Sequence, residues 1–184
     1  IEEDSFRRDF TINSLYYDPI DQKIVDHCGG LADINRGILR MIGAPKERLI
    51  EDPIRILRAI RLSQKLKFNI EPELRFQIAK LTNELKRSPL PRRREEWIKF
   101  FRLPQSEIAL MELFDLNIFE VILPNFHKLF KNDEKREHFL QQVRLFDYYG
   151  FNFSDTNELF SAILAAYIQS VYPNDIKIDS LAEN

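Results

Sequence analysis

Glu51-Asp52-Pro53-Ile54-Arg55-Ile56-Leu57-Arg58-Ala59-Ile60-Arg61 decides the fold class. Ile54, Leu57 and Ile60, then Leu66, recur at helical spacing, so one face is apolar while arginines occupy the other. Pro53 is expected in the first turn, where its missing N–H is not needed, and Glu51 and Asp52 before it suit the positive end of the helix dipole. Asp52, Arg55 and Arg58 step by three and sweep an arc while Ile54 and Leu57 turn inward. A carboxylate acceptor beside guanidinium donors can match the donor–acceptor edge of a nucleic-acid base. Taken alone, it is equally an exposed i, i+3 ion pair contributing a few tenths of a kcal/mol.

Downstream the helical signal continues. Phe68 to Pro72 interrupts it, and Glu73 to Lys86 resumes it through Leu74, Ile78, Leu81 and Leu85. Ser88-Pro89-Leu90-Pro91 reads as a linker. Further helices are expected near 94–101, 105–114, 135–149 and 157–171. Upstream, residues 1–43 hold four of the five glycines and the strand-like patterning. Tyr16-Tyr17 and Lys23-Ile24-Val25 flank the turn signal Asp18-Pro19-Ile20-Asp21, and Ile38 to Ile42, stopped by Gly43, reads as another strand. Phe10 to Leu15 suits a short helix. The expectation is a mainly α fold: a small α/β remnant over 1–43, with too few strands to close a sheet, followed by an all-helical body.

The chain has 184 residues, 44% hydrophobic and 30% charged, with a net charge of −2. Disordered chains are poorer in bulky apolar residues, so this one folds. No apolar run approaches the ~20 residues of a membrane span, and no membrane partner is expected. The acidic start Ile1-Glu2-Glu3-Asp4 is unlike a signal peptide. A lone cysteine, Cys28, excludes an internal disulfide framework and fits a reducing cytoplasm, and His27-Cys28 lacks the partners of a zinc site. The absence of an initiator Met suggests a fragment of a longer protein, and a monomer is expected.

Arg7-Arg8-Asp9-Phe10-Thr11 sets two cations and a carboxylate beside an apolar run. A guanidinium can grip a phosphate with two prongs, and a carboxylate can accept from ribose hydroxyls. By itself this is an ordinary charged helix start. Its order along the chain changes the reading. Arg7-Arg8-Asp9-Phe10-Thr11-Ile12-Asn13-Ser14-Leu15 is followed by Asp26-x-x-Gly29-Gly30-Leu31-x-Asp33, by Gly37-x-Leu39-Arg40, and by Glu51-Asp52-Pro53-x-Arg55. Together they resemble the class II tRNA nucleotidyltransferase and bacterial poly(A) polymerase superfamily. Arg92-x-x-Glu95-Glu96 resembles the next family motif, and Asn157-Glu158-Leu159-Phe160-Ser161-Ala162-Ile163-Leu164 fits its helical body.

The resemblance implies three domains: a head remnant (1–43), a helical neck carrying the base template (44–87) and an RNA-binding helical body (88–184). It implies that Arg7, Arg8 and Asp9 surround the sugar and phosphates of an incoming nucleotide. Asp52 and Arg55 would face its base, with Arg58 a phosphate contact. The implied reaction is attack of an RNA 3′-hydroxyl on the α-phosphate of ATP, releasing pyrophosphate, with two Mg2+ ions stabilising the attacking and leaving oxygens. In the family, an Asp-x-Asp pair after a Gly-Ser loop holds those metals. No two aspartates here are spaced by two and no glycine precedes a serine. Glu2-x-Asp4 has the spacing without the loop. The expectation is therefore no catalytic or metal-binding residue in this chain, weak nucleotide binding, and no transfer by the chain alone. Ile12 to Tyr17 looks more like the bacterial polymerases than the Ala-Leu-Ala-Tyr of CCA-adding enzymes, which favours poly(A) polymerase.

Between Lys80 and Arg102 stand eight basic residues against three acidic ones. Arg93, Arg94 and Lys99 are the expected contacts to an RNA backbone. Arg92 is expected to pair structurally with a glutamate, as the family motif implies. Trp97, Phe100 and Phe101, and the aromatic segments 114–130 and 146–153, are expected in the core rather than stacked on bases. The alternative functions are CCA addition to tRNA and a non-catalytic helical RNA-binding module that keeps these motifs unused.

Overall fold

The computed structural model describes residues 2–148 and 155–173. Asp26 organises its start. The carboxylate accepts the backbone N–H groups of Cys28, Gly29, Gly30 and Leu31 at 2.8–3.1 Å and so caps helix α2 (Gly30–Arg36). Gly29 precedes the helix at φ +79°, a conformation a side chain would strain. A Cβ on Gly30 would lie 2.3 Å from the Thr11 carbonyl oxygen, so only glycine allows the helix so close to residues 10–13. Helix α1 (Glu2–Arg7) and a hairpin of β1 (Leu15–Asp18) and β2 (Lys23–Asp26) flank this contact.

Strands β3 (Ile38–Leu39) and β4 (Asn69–Ile70) pair in parallel. The expected five-residue strand is shorter, but Met41 bridges Phe10 antiparallel, with Thr11 donating to the Arg40 carbonyl and Ile42 to the Asp9 carbonyl. Asp33, buried, accepts from the Thr11 hydroxyl at 2.7 Å and from Arg40, which also pairs with Glu71. The Asp26–Asp33 and Gly37–Arg40 motifs thus serve to fix the backbone at Asp9. The helix expected over residues 10–15 is only a 3-10 turn, Thr11–Asn13.

Helix α3 (Pro45–Glu51) runs into a turn at Asp52–Ile54 and then α4 (Arg55–Leu66). This corrects the sequence reading: Glu51 closes α3 rather than opening α4, and Pro53 precedes α4. The break arises at Asp52, whose extended backbone ends α3, while the Asp52 carbonyl accepts Arg55 N–H and starts the next helix. Helix α4 buries Ile56, Leu57, Ala59 and Ile60. α5 (Pro72–Leu81) follows, then a 3-10 segment over Thr82–Arg87.

Half of the expected linker is helix. Leu90 and Pro91 lie in the first turn of α6 (Leu90–Phe100), and Ser88 is buried. α7 (Ser106–Asp115) was expected, whereas α8 (Ile118–Ile122) and α9 (Pro124–Lys131) are too short to show periodicity. α10 (Asp133–Tyr148) and α11 (Thr156–Val171) pack together at the end. One apolar core runs from Phe10 to Ala166. Trp97, Phe100 and Phe101 are buried, Trp97 meeting Phe101, Phe119 and Phe126 edge-on at 4.8–5.5 Å. Phe146 packs on this core, and Phe151 and Phe153 lie outside the described residues. No described helix is long and apolar enough to cross a membrane.

Candidate nucleotide-binding cleft

Three chain segments meet at a cleft of about 600 Å³. Arg8, Asp9 and Asn13 come from the first, Asp52, Ile54, Arg55 and Arg58 from the α3–α4 turn and α4, and Arg92, Glu95, Glu96 and Lys99 from α6. Asp9 and Arg55, 46 positions apart in sequence, line the same concavity.

Asp9 is held on both sides. One oxygen accepts from Asn13 at 3.0 Å and from the Phe10 N–H at 2.9 Å, the other from Arg58 Nε at 2.7 Å. Burial alone would push this carboxyl up, but the hydrogen bond from Asn13 and the charge of Arg58 outweigh it and hold the group below the usual carboxylate range. A carboxylate has room for further donors, so Asp9 stays able to accept from a ligand hydroxyl.

Arg58 also faces Glu96 at 3.7 Å. Glu96 is 5% exposed and takes Arg61 Nε and Lys99 Nζ, each at 2.9 Å. This carboxylate, set inside the stretch that reads as basic, ties α4 to α6 and was not expected from sequence. Burial would lower the Lys99 ammonium, but Glu95 and Glu96 overcome this and raise it. Lys99 is therefore a charge-paired wall of the cleft.

Arg55 donates from one amino group to the Arg48 carbonyl and to Glu51, both at 2.8 Å. Its guanidinium holds the Glu51 carboxyl below its ordinary range. Arg48, also missed from sequence, donates to the Arg7 and Arg8 carbonyls at 3.0 and 2.9 Å and to Glu51 at 2.6 Å. It links the Arg7-Arg8-Asp9 backbone to α3 through main-chain oxygens, which leave no side-chain pattern to detect.

Arg92 departs from expectation. Its partner is Asp52, gripped by both amino groups at 3.1 and 2.9 Å, not a glutamate. Glu95 and Glu96 are taken by Lys99 and the α4 arginines one turn further along α6, leaving Arg92 to reach the α3–α4 turn. Arg7 does not line the cleft. Arg93 and Arg94 line a different groove of about 340 Å³, mostly apolar, against Phe126, Phe160 and Tyr167, with Arg94 stacked 5.1 Å over Phe160.

Among the described residues, no three His, Cys, Asp or Glu side chains group to hold a metal ion. Asp9, Asp52, Glu95 and Glu96 each bind a cationic side chain. The residues present do not fit the paired magnesium ions that the resemblance implies.

The architecture is that of the CCA-adding enzymes. It matches "The structure of CCA-adding enzyme apo form I" with a TM-score of 0.75 and 26% identity over 94% of this chain and 42% of that one. A Thermotoga maritima CCA-adding enzyme complexed with tRNA shares the fold at a TM-score of 0.74 and 23% identity, over 98% and 46% of the two chains. The sequence is 38% identical to poly(A) polymerase I of Salmonella typhimurium, over 78% of this chain and 31% of that protein. It is 33% identical to the CCA-adding enzyme of Bacillus subtilis, over 89% and 38%. Residues 1–40 match the family described as "Poly A polymerase head domain", and residues 67–130 that described as "Probable RNA and SrmB- binding site of polymerase A", together more than half of the chain. The chain belongs to the poly(A) polymerase and class II tRNA nucleotidyltransferase superfamily. It spans about a third of the length of the curated relatives it matches.

Proposed function

We propose that the cleft between residues 8–13, the α3–α4 turn and α6 selects the nucleoside triphosphate of a polynucleotide adenylyltransferase, an enzyme that adds AMP from ATP to RNA 3′ ends. The observation that carries this reading is the convergence of Asp9, Asp52, Arg55 and Arg58 on one concavity. Asp9 is positioned to accept from a ribose hydroxyl, and Arg8 and Arg58, with Arg7 beside them in the chain, supply positive charge for the phosphates. Asp52 and Arg55 offer an acceptor and a donor to a base edge. Arg93 and Arg94 are assigned to RNA, whereas Lys99, held by Glu95 and Glu96 in the cleft wall, is not. In this reading residues 1–43 belong to a head, 44–87 to a neck and 88–184 to a body, and the protein works in the cytoplasm as a monomer. Any Mg2+ would be held by residues other than these.

Adenylation is favoured by the Ile12–Tyr17 run and by 38% identity to a poly(A) polymerase I. CCA addition is the second reading, favoured by the structural likeness to CCA-adding enzymes. Incubating the whole protein that carries this chain with a tRNA ending at its discriminator base, plus ATP and CTP, separates them. A long A tract supports adenylation, and ordered addition of C, C and A refutes it.

A further inference from the structure

Arg8 lines the cleft, and its long side chain, 45% exposed, would sample many rotamers without partners. Its carbonyl is held by Arg48 at 2.9 Å. The guanidinium is held by a separate set of groups. Nε donates to the Tyr16 hydroxyl at 3.1 Å, Nη1 to the Asn13 carbonyl at 3.2 Å and Nη2 to Asp4 at 3.2 Å. The guanidinium carbon also lies 5.1 Å from the centre of the Tyr16 ring. Tyr16 stands on β1 opposite Val25 and is half-buried, so the hairpin fixes its place. Its hydroxyl in turn donates to Asp4. The hydroxyl, and then Arg8, hold the Asp4 carboxyl below its ordinary range, so it stays ionised and can only accept. The single hydroxyl hydrogen is thereby committed to Asp4, and the lone pairs of the oxygen are left for Arg8.

We propose that Tyr16 is a positioning residue for phosphate binding: its hydroxyl fixes the Nε side of Arg8 so that the remaining N–H groups meet the phosphates of a nucleoside triphosphate. This rests on the nucleotide-site reading above. A guanidinium carries five N–H groups. Three are engaged within residues 4–16, which leaves one on each terminal amino group, and such a pair can donate to two phosphate oxygens at once. Asp4 offsets part of the Arg8 charge, so Arg8 acts by the direction of its donors more than by net charge. Without the hydroxyl, Nε loses its acceptor and the phosphates themselves must order the side chain, which costs affinity. Tyr16 is not among the residues lining the cleft, so its contribution passes through Arg8 and leaves the contacts to base and ribose untouched.

The test is titration of the full chain and its variants with ATP, with inorganic triphosphate and with adenosine, followed by amide NMR, whose unshifted starting spectrum away from residues 4–16 reports an intact fold. In Tyr16→Phe, which keeps the ring and removes only the hydroxyl, ATP and triphosphate are expected to bind about threefold more weakly, the size of one half-exposed hydrogen bond to a cation, with adenosine unchanged. Tyr16→Leu should show the same split with a larger loss. Arg8→Ala should weaken both phosphate ligands by itself, and in that background Tyr16→Phe should add nothing. If Tyr16→Phe weakens adenosine as much as ATP, or leaves triphosphate binding unchanged, Tyr16 only braces the hairpin against α1 and the proposal falls, while the nucleotide site stands. An undiminished effect of Tyr16→Phe in the Arg8→Ala background overturns it equally. If the wild-type chain binds neither ATP nor triphosphate at millimolar concentration, the site reading falls and this proposal with it.

Discussion

Glu96→Ala gives the sharpest stability test of the cleft. Glu96 is 5% exposed and compensates Arg61 and Lys99 at 2.9 Å and Arg58 at 3.7 Å. Removing it leaves Arg61 at a helix–helix junction without its carboxylate, while Arg58 keeps Asp9 and Lys99 keeps Glu95. The Arg61 side chain is 13% exposed, while Arg58 and Lys99 are about one-third exposed and can rehydrate. Breaking a fully buried pair costs about 3–5 kcal/mol, and the partial solvation of two partners lowers the expectation to about 2–3 kcal/mol. Trp97, the only tryptophan, adjoins Glu96 and is packed among Phe101, Phe119 and Phe126, so its emission follows the loss of this junction directly. With a urea m-value of about 2 kcal/mol/M, the unfolding midpoint should fall by about 1–1.5 M. The fall should persist in 0.5 M salt, because a buried cluster is poorly screened. A midpoint shift below about 0.3 M at unchanged slope would show that Glu96 is a solvated surface charge and that α4 and α6 are held together by apolar packing alone.

Three further outcomes are expected. Gly30→Ala drives a Cβ to 2.3 Å from the Thr11 carbonyl and should destabilise the chain by about 1–3 kcal/mol in thermal unfolding, while Gly29→Ala, with nothing within 4 Å, carries only backbone strain. The Asp26 carboxyl is opposed by partial burial but held below its ordinary value by four backbone N–H donors. Its contribution is therefore complete above the unfolded-state carboxylate pKa near 4 and lost as pH falls through the lower folded value. Asp26→Ala should cost about 1 kcal/mol at pH 7 and flatten the acid limb of a stability-versus-pH curve. Arg48→Met, which releases the Arg7 and Arg8 carbonyls and Glu51, should speed amide exchange at residues 7–9 and 51–55 and leave α10 and α11 unchanged.

The sequence exposed the parts of this architecture whose signal is local. The apolar face of α4, the hairpin around Asp18–Asp21 and the burial of Trp97, Phe100 and Phe101 each follow from spacing or residue type. The convergence of Asp9 with Asp52, Arg55 and Arg58 was legible only through the order of the motifs. Nothing local connects Asp9 to Arg58 across 49 positions. What escaped was of two kinds. Arg48 works through main-chain carbonyls, and no residue pattern records that. Glu96 lies in a segment whose composition reads as a basic surface, yet the α-helical turn sends it inward to Arg61, and Arg92, expected to pair with a glutamate, meets Asp52 instead. Charge counting along a helix does not distinguish its faces. The α3–α4 break was missed because Glu51 and Asp52 suit a helix start, while the extended backbone at Asp52 makes them an end and a turn.

Protein-detected NMR of the chain during an ATP titration reaches the main point with least intervention, since it registers weak binding and locates it. Amides at residues 8–13, 52–58 and 92–99 should shift together and saturably, with the response blunted in Asp52→Ala. Shifts confined to the apolar groove beside Phe160, or none up to millimolar ATP, would mean that this concavity is an ion-pair network bracing three segments and not a seat for a nucleotide.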